Sequence, residues 1–136
     1  MRKLILTLSI AIIGISFYSC KKEKDTIASV LVVNANEQAV TGVIVRLYCP
    51  SATCDGSQGQ GSLNEDIDRN DVTGSNGKVS FNYSEMYKLG QAGFSVLDIA
   101  IYKSEADLAA ENPETTGVIK IEEEQENEQT IICQSC

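Results

Sequence analysis

The chain has 136 residues, carries 19 acidic against 11 basic side chains for a formal charge of −8, and contains neither histidine nor tryptophan. Without histidine it lacks the commonest general base and the commonest metal-binding side chain. A field of that sign repels nucleic acid and anionic headgroups, so no nucleic-acid partner is expected.

The chain opens on Arg2 and Lys3, then runs without charge from Leu4 to Phe17, "LILTLSIAIIGISF". About 14 residues is short of the roughly 20 that a membrane-spanning helix needs, and the basic start and short apolar run are those of a signal peptide. The run closes on Ser19 and Cys20 and turns at once into "KKEKD". A small residue before cysteine resembles the lipobox of bacterial lipoproteins, in which the thiol is lipidated and the cysteine becomes the new N-terminus. The resemblance implies a cleaved signal peptide over 1–19, a palmitate-type anchor on Cys20 and a charged tether over 20–27. Lys21 after the cysteine fits delivery to the outer membrane, and the mixed charges are similar to export signals of Bacteroidetes lipoproteins. The expected location is thus the outer membrane, lipid-anchored, on its periplasmic or cell-surface face. Residues from Cys20 onward number 117, with 9 basic against 19 acidic side chains and hence a charge of −10. That length supports one domain with its own core, placed at 28–136.

Two apolar β-branched runs, Val30 to Val33 and Val43 to Leu47, follow the tether. In the second, Val43, Val45 and Leu47 alternate with Ile44 and Arg46, the period of a strand with one buried face. The polar "NANEQAVTG" between them reads as a hairpin connection. From Pro50 to Asp71 the chain is polar except for Leu63 and Ile67, which reads as a long loop. "VTGSNGKVSFNY" then reads as strand, turn and strand, with Val79, Phe81 and Tyr83 alternating. "FSVLDIAIYK" places Leu97, Ile99 and Ile101 on one face. Ser104 to Asn112 has a capping serine and a helix-forming body before Pro113. Val118 to Ile121 and Thr130 to Cys133 read as a last hairpin around "EEEQENEQ".

About seven short strands with turns between them predict an all-β fold, a single antiparallel β-sandwich. The expected core includes Val32, Val45, Leu47, Phe81, Leu97, Ile99, Ile101, Ile119 and Ile131. "EQAVTGVIVRL" (Glu37 to Leu47) and "VTGSNGKVSF" (Val72 to Phe81) resemble the second-strand and turn motifs of transthyretin-like or carboxypeptidase-regulatory-like domains, relatives in shape of the immunoglobulin fold. The resemblance spans about residues 28 to 133, and its motifs are structural, so it implies a fold and leaves function open.

Four cysteines besides Cys20 remain: Cys49, Cys54, Cys133 and Cys136. In a small exported domain they read as two disulfides, for which three connectivities exist. A long-range bridge from Cys49 to Cys133, which would join the ends of two core strands, is the favoured pairing, whereas Cys49–Cys54 and Cys133–Cys136 would pin the long loop and the tail separately. A four-cysteine zinc site is the metal alternative. A redox pair is disfavoured, because "CQSC" follows a strand beside an acidic run that raises thiol pKa.

Asp66, Asp68 and Asn70 match the first positions of a calcium loop, but Asp71 replaces its glycine and Gly77 its final glutamate. A calcium site on Asp55, Asp66, Asp68 or Asp71 is the other metal alternative to a solvated acidic loop. No catalytic residue, cofactor or dedicated metal ligand is expected. The leading expectation is a non-enzyme, an interaction or accessory module for a protein or glycan partner. The second is a small metal-binding or hydrolytic lipoprotein built on the acidic loop at 55–71.

Overall fold

The computed structural model describes residues 23–49, 67–88 and 94–136. Within them the order is β1 (Ile27–Val33), β2 (Ile44–Tyr48), β3 (Arg69–Val72), β4 (Lys78–Asn82), α1 (Ser84–Lys88), β5 (Phe94–Tyr102), α2 (Glu105–Ala109), β6 (Thr115–Glu122) and β7 (Glu126–Ile132). A three-stranded sheet, β4-β1-β7, faces a four-stranded sheet, β3-β2-β5-β6. The described residues therefore form an all-β sandwich of seven strands.

Alternation explains the core. Ala28, Val30 and Val32 of β1 face Val45 and Leu47 of β2 and Leu97, Ile99 and Ile101 of β5, and all are buried in one cluster. All nine residues expected in the core are buried. Strand β5 is covered on its second face as well. Ala100 and Tyr102 join Ile44 in a small outer cluster under Leu108 of α2. Ser104 caps that helix by accepting from the Asp107 amide, as its sequence predicts.

Each of the three expected hairpins turns out to be a crossing between the sheets. β1 and β2, β3 and β4, and β6 and β7 fall in opposite sheets. The turn residues are those of a hairpin, but the apolar faces of the flanking strands bury more by meeting face to face across the core than by lying side by side. The last crossing returns β7 beside β1 in the same direction, from Ile27 opposite Glu126 to Val33 opposite Ile132. This parallel pair corrects the purely antiparallel expectation. The other correction is β3, whose first residues were expected in the long loop. It is an edge strand paired only with β2, from Ile44 opposite Val72 to Leu47 opposite Arg69, so its side chains are mostly exposed and polar.

Thr73 ties two crossings together. Its backbone accepts from Gly42 and donates to Val43 at 3.0 and 2.9 Å. At the opposite end of the sandwich, buried Thr26 receives the Glu124 amide on Oγ1 at 2.9 Å. Asn127 donates to the carbonyls of Ile27 and Glu122 there, which shapes the β6–β7 turn. On the outer face of the three-stranded sheet, Ser29 and Ser80 share a 2.8 Å hydrogen bond. Lys78 of β4 pairs with Glu126 and Glu128 of β7, two strands away.

Candidate functional site

Side chains of functional type are densest on the outer face of the four-stranded sheet. Strand alternation turns Ile44, Arg46 and Tyr48 outward, and register sets Arg46 opposite Asn70 on β3 and Ala100 on β5. The Arg46 guanidinium grips Asp68 with two parallel bonds, Nε to Oδ1 at 2.8 Å and Nη2 to Oδ2 at 2.6 Å. It also lies 4.9 Å over the Tyr48 ring and 3.7 Å from Glu111 Oε1. The Asp68 hydrogen bonds raise the Arg46 pKa further above its ordinary range, so this cation is permanent. Burial, and then the neighbouring Asp98, raise the Tyr48 hydroxyl pKa. The arrangement fixes a planar cation between an anion and a ring.

Of the acidic-loop candidates, Asp55 and Asp66 lie outside the described residues. Asp68 is committed to Arg46. Asp71 accepts the amide of its own neighbour, Val72, at 2.8 Å. Among the described residues, no three Cys, Asp or Glu side chains converge in a cage that could hold a metal ion. A second acidic group, Asp25, Glu123, Glu124 and Glu126, lines an open groove with Lys24 and Ile27.

Cys20 and Cys54 also lie outside the described residues. Cys133 and Cys136 are bonded to each other, with Cα atoms 5.3 Å apart. This overturns the favoured long-range bridge between Cys49 and Cys133, and it removes both tail thiols from a zinc site. The tail turns back immediately after Cys133, whose amide still donates to Val33 at 2.8 Å, so the nearest thiol is three residues on. Cys49 is itself disulfide-bonded. The tail is held further by Ser135, which donates to Glu114, and Glu114 pairs with Lys103 at 3.1 Å. The Ser135 hydrogen bond first, and Lys103 second, lower the Glu114 pKa.

Sequence reasoning identified the outward position of Arg46 but not its partners. Its alternation with Val45 and Leu47 marks it as outward, while the approach of Asp68 and Glu111 depends on strand pairing within the four-stranded sheet that no local signal encodes.

No protein-family model and no curated protein matches this chain. Among solved structures, the Bacillus anthracis TIE protein resembles it with a TM-score of 0.49 at 7% identity, over 82% of this chain and 16% of that one. The chain thus spans about a sixth of that protein's length.

Proposed function

We propose that this protein is a lipid-anchored envelope module, attached through Cys20 to the outer membrane, that acts without catalysis as an accessory or interaction domain for a protein or glycan partner. The observation that carries the non-catalytic part is how the charged side chains are used. Arg46, Lys78, Lys103 and Lys120 are each paired with a carboxylate of the domain. Among the described residues, the pKa values of Glu114 and Glu122 are lowered by hydrogen bonds, to Ser135 and Lys103 for Glu114 and to Lys120 for Glu122. A hydrolytic acid needs the opposite, a carboxyl raised by burial or a like charge. Of the described calcium candidates, Asp68 is paired with Arg46 and Asp71 accepts the Val72 amide, which disfavours the metal-binding alternative.

The interaction part is supported by Val96 and Val118, which stand exposed diagonally across the adjacent strands β5 and β6 of the four-stranded sheet. Apolar surface of this kind suits a protein contact better than a small-molecule cleft. The transthyretin-like resemblance enters the same reading. Its two motifs occupy the β1–β2 and β3–β4 crossings and meet at Thr73, where such a domain would join its sheets.

Membrane fractionation with labelled palmitate tests the anchor. Wild-type protein should sediment with outer membranes and carry label, and Cys20→Ser should lose both. Label retained by Cys20→Ser would overturn it. Photo-crosslinking from position 118 in intact cells tests the module. A single adduct lost on Val96→Glu is expected, and turnover of an envelope glycan by the purified protein would sink the non-catalytic reading.

A further inference from the structure

The two cysteines of the Cys133–Cys136 disulfide differ in burial. Cys133 is fully buried as a member of the main apolar cluster. Cys136 is exposed, as are Gln134 and Ser135 between them. The anchoring is also one-sided: the Cys133 amide is bound to Val33 of β1, while the intervening loop is held by the exposed contact of Ser135 with Glu114. Thiol–disulfide exchange proceeds by attack of a thiolate on one sulfur while the other leaves, so access decides which sulfur is attacked.

The geometry points to Cys136 as a one-sided thiol-exchange site, at which a low-molecular-weight thiol adds to Cys136 and expels Cys133 into the core. In the first step a thiolate RS⁻ attacks Sγ of Cys136. The new RS–S bond forms, the Cys133–Cys136 bond breaks, and its electron pair leaves on Cys133 Sγ, which takes up a proton. A second RS⁻ attacks the sulfur of the bound R group and releases Cys136 as a thiolate, which is protonated in turn. Two RSH become RSSR, and the protein gains two electrons and two protons. The protein serves as electrophile here and needs no low-pKa thiol of its own.

An acid quench traps the adduct, because a protonated thiol does not attack a disulfide. The ring opened is only four residues long and constrains the unfolded chain little, so the fold survives reduction.

The test uses the purified chain with both disulfides formed, exposed to millimolar reduced glutathione and quenched in acid, with fragmentation mass spectrometry locating the adduct. Glutathione should be found on Cys136 and not on Cys133, with an unchanged far-ultraviolet spectrum. After full reduction without denaturant, iodoacetamide should label Cys136 roughly 100-fold faster than Cys133, as burial of a thiol requires. Glutathione on Cys133, equal labelling of the two, or an adduct formed only in denaturant would each overturn the proposal. The tail residues can be assigned whether or not Cys20 is lipidated, so this result is independent of the anchor.

Discussion

The Thr73 hydroxyl stands between two backbone groups of the β1–β2 crossing: it donates to the Val40 carbonyl at 2.9 Å and accepts from the Val43 amide at 3.2 Å. Thr73 is 4% exposed, so water does not replace either bond. Thr73→Val keeps the shape, removes the hydroxyl and leaves a buried carbonyl and amide short of a partner. The expected cost is about 1–3 kcal/mol, read as a lower midpoint in urea with an unchanged slope. Thr73→Ser should recover most of it. If Thr73→Val were as stable as wild type, this side chain would not be what joins the crossings.

Gly77 and Gly117 make a matched pair of tests. Gly77 has φ +71°, and a Cβ there would stand 2.7 Å from the Val32 carbonyl oxygen and 3.1 Å from Ala39 Cα. Both obstacles are backbone, and the φ itself is strained for any other residue. A Cβ on Gly117 would instead overlap Cδ1 of Ile131, the end of a side chain. Gly77→Ala should therefore cost more than Gly117→Ala, by about 1–2 kcal/mol. Equal thermal shifts in the two variants would contradict this ranking.

Six of the seven strands are legible in the sequence because each carries apolar side chains on one face. β3 is legible only at its end, Val72 before the turn, since the start of an edge strand with a solvent-facing surface can be written "RND" without losing a contact. Partnership is less legible than existence. "NANEQAVTG" and "VTGSNG" bend the chain equally well into a hairpin or an arch, and only the summed packing of distant faces decides between them. The parallel β1–β7 pair has no local signature at all. The cysteine spacing allowed three pairings, and proximity after the β7 turn selected Cys136 for Cys133. At the candidate site the residue types were visible, but the Arg46–Asp68 grip joins positions 22 apart in sequence and follows from the β2–β3 register.

Acid should loosen the tail contact. The folded pKa of Glu114 lies below its ordinary 4.5, chiefly through Ser135 and then Lys103, and Glu122 is lowered through Lys120. Because these carboxylates are more acidic folded than unfolded, their stabilisation is fully present above pH 4.5 and is lost as pH falls through the lowered values. Melting temperature should thus fall more steeply below this point in wild type than in Glu114→Gln. Parallel curves for the two proteins would remove Glu114 from the account.

The Arg46–Asp68 pair separates the structural reading of the acidic loop from the calcium reading. Its side chains are 18% and 21% exposed, between an exposed pair worth under about 1 kcal/mol and a buried pair whose rupture costs roughly 3–5 kcal/mol. Asp68→Asn removes the charge and half the bidentate geometry while the Arg46 cation stays beside Tyr48. A loss of about 1–3 kcal/mol is expected, and Arg46→Met with Asp68→Asn should recover part of it in a double-mutant cycle. If the role of Asp68 is to hold Arg46, millimolar calcium should leave the melting temperature of wild type and Asp68→Asn unchanged. A calcium-dependent rise in wild type that Asp68→Asn abolishes would show the carboxylate leaving Arg46 for the metal, and would return the loop to the ligand-binding reading.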